Sequence, residues 1–197
     1  MAESTSTPVV FDPIKLERVK VGSDYPMEKA DFDELFNNAR YCDMAHISAK
    51  GYPIVTPMFY VVVNGHIHVS SIKSYRYKVH ALEKRPNMSV VIHNDGMALR
   101  HQKAILVVGK AKVSDDEELK TNIHWAIINK YWVEITDPIK REEAFKAVHT
   151  PLRAIIEVIP ENIISWDFGK MVNAYDPGVW FNEAYKFPHR GGAAVKG

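Results

Sequence analysis

Apolar runs and apolar–polar alternations, separated by turn signals, dominate the chain from Met44 onward. Met44 to Ser48 reads as a strand and Ala49-Lys50-Gly51 as a turn, and a long apolar strand, Ile54 to Val63, lies within PIVTPMFYVVV. Apolar residues on both faces of that strand predict that each face is covered. Pro57 cannot donate to a ladder, so the strand is expected to lie at an edge or to bulge there. Asn64-Gly65 tolerates the positive φ of a type I′ turn and predicts a hairpin to an antiparallel strand, His66–Ser71. Met88–His93 is the next strand, then Ala104–Val113 with Gly109 at a bend. Arg153–Ile159 follows, and Pro160-Glu161-Asn162 is expected to turn it into Ile163–Asp167.

Helical signals interrupt this pattern in few places. Asp31 with Glu34 forms a capping box that opens a helix to about Ala39, and Ser114 with Glu117 opens another to about Asn129, whose apolar face carries Leu119, Ile123, Ala126 and Ile127. Asp137-Pro138 starts a third, with proline at the first helical position. A short helix after Arg76 completes the run from Ile67 to Ile92, in which a strand, a cationic loop, a helix and a strand follow one another. About six antiparallel strands at hairpin spacing, with helices in the connections and a glycine-bent strand, predict a mainly β fold with flanking helices, a closed or half-open barrel rather than a sandwich.

The 197 residues suit one domain. The barrel is expected over 26–170. An N-terminal arm, 1–25, is rich in Ser, Thr, Pro and charge, and a tail, 171–197, is expected to pack on the barrel or a partner subunit. A formal charge of +1 argues against general attraction to nucleic acid or a membrane surface. One cysteine, Cys42, excludes an intrachain disulfide and is expected to be a small, half-buried apolar residue. No apolar run reaches about 18 residues and no signal core precedes the fold, so a cytoplasmic location is expected.

Candidate chemistry concentrates in Ser70-Ser71-Ile72-Lys73-Ser74-Tyr75-Arg76-Tyr77-Lys78. Hydroxyls and three cations stand where a strand leads into a helix N-terminus, a setting suited to phosphate, and a solvated basic turn fits the same residues equally well. His66 and His68 share a strand face, but no acidic or cysteine ligand stands at a matching spacing and no metal is expected. A P-loop, a G-x-G-x-x-G fingerprint and a G-x-S-x-G elbow are all missing. Trp125, Tyr131 and Trp132 are expected in the core, whereas Trp166 and Trp180 are better placed to cap a flat ligand.

Gly51-Tyr52-Pro53-Ile54-Val55-Thr56-Pro57-Met58-Phe59, the hairpin Asn64 to Ser71, and the run Arg76 to Val90 with its R-x-K-x-x-x-L-x-x-x-P-x-x-S-V pattern carry a resemblance. Together they resemble the FMN-binding split-barrel superfamily: pyridoxamine 5′-phosphate oxidase-like proteins and related oxidoreductases using flavin or the deazaflavin coenzyme F420. The likeness covers about 43–113 well and 153–170 more loosely. It implies a six-stranded antiparallel split barrel acting as a homodimer, with FMN or F420 in a groove between subunits. It further implies that Arg76 and Lys78 hold the cofactor phosphate with Ser70 and Ser71, that Pro57 and Met58 lie along the ring, and that Lys73, in a loop of variable length, is a further cofactor-binding candidate.

Thr56-Pro57-Met58, Lys103-Ala104 and Ser165 to Lys170 depart from what pyridoxamine 5′-phosphate oxidases carry at the corresponding places, which speaks against that activity itself. The implied function is hydride transfer between FMN or F420 and an unsaturated, quinone-like, tetrapyrrole or nitro small molecule. Tyr60, His93 and Trp166 are the candidates for the substrate side, and no catalytic acid or base is assigned. Two other readings of the same fold are a flavin- or haem-binding protein without turnover and an interaction protein without a cofactor.

Overall fold

The computed structural model describes residues 25–73 and 77–170. Arg76, the arm apart from Tyr25, and the tail with Trp180 lie outside them. The elements are α1 (Lys29–Asn38), β1 (Cys42–Ile47), β2 (Pro53–Met58), β3 (Val61–Val63), β4 (His66–Ile72) and α2 (Tyr77–Lys84). After these come β5 (Asn87–His93), β6 (Lys103–Ser114), α3 (Glu117–Tyr131), α4 (Pro138–Val148) and β7 (Arg153–Asp167).

All neighbouring strands are antiparallel, and the sheet has seven of them in the order β2-β1-β5-β6-β7-β4-β3. Its edges, β2 and β3, are consecutive in the chain and only Phe59 and Tyr60 separate them. Laid flat, seven strands would set the edges roughly 29 Å apart. Three peptide steps from Met58 to Val61 span at most about 11 Å. The sheet therefore has to curl into a barrel, and the split is the place where β2 and β4 face each other without a ladder.

Three expectations change here. The strand expected over Ile54–Val63 is two, because the chain passes from one edge of the sheet to the other at Phe59-Tyr60. The turn expected at Pro160-Glu161-Asn162 is instead a register shift opposite Val108/Gly109 inside a continuous 15-residue β7, and the sheet has seven strands where the resemblance implied six. The faces of β2 are not both covered among the described residues: Val55 is 61% exposed. Pro57 does sit on an edge strand, opposite Asp43. Gly109 marks the bend, where a Cβ would lie 2.0 Å from the Ile159 carbonyl oxygen. Asn64 and Gly65 take φ of 52° and 79°, as the hairpin turn requires.

The barrel core is built from inward residues of the strands, among them Met44, Val69, Val90, Ile92, Ile105, Val107 and Ile156, and α1 plugs one end with Leu35. That helix starts two residues ahead of the expected Asp31 cap: Glu28 is the cap residue without a side-chain bond, and Asp31 instead pairs with Lys103 at 3.0 Å. Asp116, not Ser114, caps α3, accepting from the Leu119 N–H at 2.8 Å, because Ser114 is still paired within β6. Asp137 caps α4 with Pro138 behind it, as the sequence predicts. The helix α3 covers the outer face of β3 and β7 through Ile123 and Ile127 against Val61 and Ile155. Cys42 is fully buried rather than half-buried, and burial pushes its thiol up to about 12, so it is an inert core residue.

Candidate functional site

The split between β2 and β4 opens into a groove of about 380 Å³. One wall is Thr56, Pro57, Met58 and Phe59, and the other is Ser70, Ser71 and Ile72. Lys78 reaches in from the first turn of α2, and Arg153, the first residue of β7, enters because it is in register with Ile72. The Lys78 ammonium donates to Thr56 Oγ1 at 3.2 Å and lies 2.9 Å from Met58 Sδ. Arg153 Nη1 approaches Ser70 Oγ at 3.5 Å. Two cations and three hydroxyls thus border the cleft, with no carboxylate in its lining among the described residues, a donor set suited to a phosphate or similar anion.

A second groove of about 650 Å³ adjoins it and shares Thr56 and Lys78. It runs between β2 and α2, with Tyr52, Ile54 and Tyr77 as apolar surface and Lys50, Lys84 and Arg85 at its border. His46 faces this groove. Burial, and after it the charges of Lys78 and Arg85, hold its imidazole below the usual histidine range, and its Nδ1 has no hydrogen-bond partner among the described residues. The cations among the described lining residues, Lys78 and Arg153 in the first groove and Lys50, Lys78, Lys84 and Arg85 in the second, suit an anionic ligand with a flat apolar part.

The structure brings together Pro57, Met58, Ser70, Ser71 and Lys78 of the residues expected at the cofactor. Arg76 lies outside the described residues. Lys73 is not in the lining; its ammonium pairs with Asp115. Of the residues expected on the substrate side, Tyr60 is fully buried, its phenol donating at 2.8 Å to the Phe36 carbonyl at the end of α1. Burial raises its pKa, so it is a core residue. His93 and Trp166 share one cross-strand row, each opposite Ala104. His93 lines a separate cleft of about 180 Å³ with Asp95 and Phe168 that has no lining residue in common with the groove.

Sequence reasoning did not single out Arg153, and it met Thr56 only as a departure from the oxidase pattern, yet both line the groove. Arg153 heads the apolar run RAIIEVI, and a fixed cation at the mouth of a buried strand was the available signal. His66 Nδ1 bonds Glu157 at 2.7 Å, and His68 Nδ1 lies 3.0 Å from the His66 carbonyl.

A curled antiparallel sheet, open between β2 and β4 and flanked by helices, is a split barrel. A sequence model of the family described as pyridoxamine 5′-phosphate oxidase matches residues 28–156, and the chain belongs to that family. Solved structures agree in fold. A conserved hypothetical protein from Mycobacterium tuberculosis is 23% identical with a TM-score of 0.64, over 76% of this chain and 90% of that one. The heme storage protein HutZ from Vibrio cholerae is 15% identical at a TM-score of 0.55, over 69% of this chain and 92% of its own. A FAD-binding protein from Mesorhizobium loti is 17% identical at 0.52, over 71% and 94%. No curated protein sequence matches the chain.

Proposed function

We propose that the protein is an oxidoreductase that holds FMN or F420 in the split and passes a hydride between it and an unsaturated, quinone-like, tetrapyrrole or nitro small molecule. The observation that carries this reading is the convergence of Lys78, Arg153, Ser70, Ser71 and Thr56 on one cleft. Lys78 and Arg153 would hold the phosphate, the Ser70 and Ser71 hydroxyls would complete its shell, and Pro57 and Met58 would lie against the ring. Bound there, the cofactor supplies the hydride chemistry, while the chain binds, orients and keeps water out.

The protein is further proposed to be a cytoplasmic homodimer with the site at the subunit interface. Tyr52, Val55, Phe59 and Tyr41, each more than two-fifths exposed, form apolar surface at and beside β2, next to the groove, which a second copy would cover. Light scattering should then give twice the 22.4 kDa chain mass. A monomer in solution would refute the shared site.

Titration of FMN and of F420, followed by fluorescence, tests the cofactor. Binding of one or both by the parent protein, with a loss of about 10²-fold or more when Lys78 and Arg153 are both changed to Ala, is expected from two charge-assisted contacts. A parent protein that binds neither would refute the reading. Reoxidation of the reduced, bound cofactor by quinone, nitro or tetrapyrrole acceptors separates an enzyme from a protein that only stores a ligand.

A further inference from the structure

Ser70 has a second partner outside the groove. Its Oγ lies 2.8 Å from Nε2 of His124, a residue of α3 with no exposed surface. His124 Nδ1 lies 3.0 Å from Nδ1 of His149, the residue that ends α4, and His149 Nε2 lies 3.5 Å from Glu117 Oε2. The Glu117 side chain is 70% exposed. A contact chain of four side chains therefore runs from the groove wall to solvent.

Two nitrogens 3.0 Å apart share one proton, so the tautomers along this chain are coupled. With the groove empty of anion, the Ser70 hydroxyl donates to His124 Nε2, His124 Nδ1–H donates to His149 Nδ1, and His149 Nε2–H faces the Glu117 carboxylate. An anion in the groove asks the Ser70 proton for itself. His124 then has to donate through Nε2 and accept through Nδ1, and His149 has to donate through Nδ1. With no added proton, that arrangement would leave a bare His149 Nε2 against a carboxylate. One proton taken from solvent at Nε2 turns the clash into an ion pair.

Resting on the reading of the groove as an anion site, the geometry points to a proton relay, Ser70–His124–His149–Glu117, through which binding an anion in the split draws one proton onto His149. The surroundings assign the roles. His124 is faced by His149, by Arg153 from β7 and by Lys120 and Glu117 from its own helix; burial first, then those cations, hold it down to about 4. It conducts but stays neutral. His149 stacks on Phe145, ring centroids 4.8 Å apart, and sits at the C-terminal end of α4, where a cation is favoured. Glu117 also accepts from Lys120 at 2.5 Å, and Lys120 lies 3.7 Å from Asp115, so the outer end of the relay is a charge cluster open to water.

The test uses sulfate, which has no titratable proton near neutrality, and FMN in parallel. Calorimetry at pH 7.5 in two buffers of different ionisation heat should show proton uptake approaching one per anion bound, and a histidine signal in NMR whose midpoint rises when sulfate is added. His149→Phe, which keeps the stack on Phe145, should still bind FMN but with no proton uptake, and its affinity should not follow pH where that of the parent weakens toward tenfold per unit above neutrality. Binding by the parent with no proton taken up overturns the relay and leaves the groove reading intact, a result that depends on no variant. If the parent binds neither probe, the groove reading and the relay fall together.

Discussion

Tyr131 and Tyr60 are joined twice: the Tyr60 backbone N–H donates to the Tyr131 hydroxyl at 2.9 Å, and the same hydroxyl donates to the Tyr60 carbonyl at 2.7 Å. One phenol from α3 thus replaces the ladder partners lost where the chain leaves β2 for β3. Tyr131→Phe keeps the ring and leaves both backbone groups unpaired, for an expected loss of about 2–4 kcal/mol. Urea unfolding measures it; a loss below about 0.5 kcal/mol would show that the crossing does not depend on this phenol.

Lys103 and Asp167 form a buried pair at 2.5 Å, side chains 4% and 9% exposed, with Asp31 at 3.0 Å from the same ammonium. Burial alone would raise Asp167, but the Lys103 hydrogen bond and charge outweigh it and hold the carboxyl below its ordinary range. Burial alone would lower Lys103, and its bonds to Asp167 and Asp31 raise it instead. The pair's stability is therefore present above the unfolded carboxyl value of about 4 and lost as pH falls through the lower folded one. It is likewise present below the unfolded lysine value of about 10.4 and lost as pH rises through the higher folded one. Lys103→Met, which strands a buried carboxylate, is expected to cost about 3–5 kcal/mol at pH 7. The deficit should shrink in acid, as thermal melts at pH 7 and pH 3 would reveal.

Lys130 shows the opposite sign. Burial lowers its ammonium to about 8, its Nζ has no hydrogen-bond partner among the described residues, and it rests 3.8 Å over the Tyr60 ring. A lysine lowered on folding binds more protons unfolded, so the protein gains stability as pH rises from about 8 toward about 10.4. Lys130→Met should remove that part of the rise. Parallel denaturation curves for parent and variant at pH 7 and pH 9.5 would contradict the assignment.

Gly109→Ala places a methyl 2.0 Å from the Ile159 carbonyl oxygen, backbone that cannot swing aside. We expect a loss of about 3 kcal/mol or more, at the upper end of overpacking. Full stability in the alanine variant would mean that the bulge opposite Pro160 re-registers without penalty.

Lys73 and Arg153 make a paired control at the groove. Lys73 is held by Asp115 away from the lining, whereas Arg153 stands in it beside Ser70. Lys73→Ala should leave FMN affinity within about threefold, while Arg153→Ala should lower it about tenfold or more. Equal effects would remove Arg153 from its assigned place.

Most of the barrel was legible because its signals are local. Asn64-Gly65 fixes a hairpin, Asp137-Pro138 a helix start and Gly109 a bend, each through backbone freedom that the residue itself carries. The errors fall where a tertiary constraint decides. PIVTPMFYVVV holds nothing that marks Phe59-Tyr60 as a passage between sheet edges, since the break is enforced by a phenol 71 residues away. Pro160 looked like a turn, yet it is absorbed by a glycine on the neighbouring strand. Among the residues that line the groove, Ser70, Ser71 and Lys78 stood out by clustering in sequence. Arg153 did not, because only the register of β4 against β7 delivers it, and Tyr60 misled because a tyrosine beside a ligand strand reads the same buried or open.

The passage at Phe59-Tyr60 also bears on the order of folding. The hairpins β1–β2 and β3–β4 can form early from short-range contacts, but they sit at opposite ends of the sheet order. Only Phe59 and Tyr60 tether the two hairpins, and their relative placement is fixed once β5, β6 and β7 pair between them, with the ladder of β4 on β7 joining residues as far apart as Ile67 and Val158. The groove is thus expected to be the last part of the molecule to take shape, so the return of ligand binding should trail the return of sheet signal during refolding.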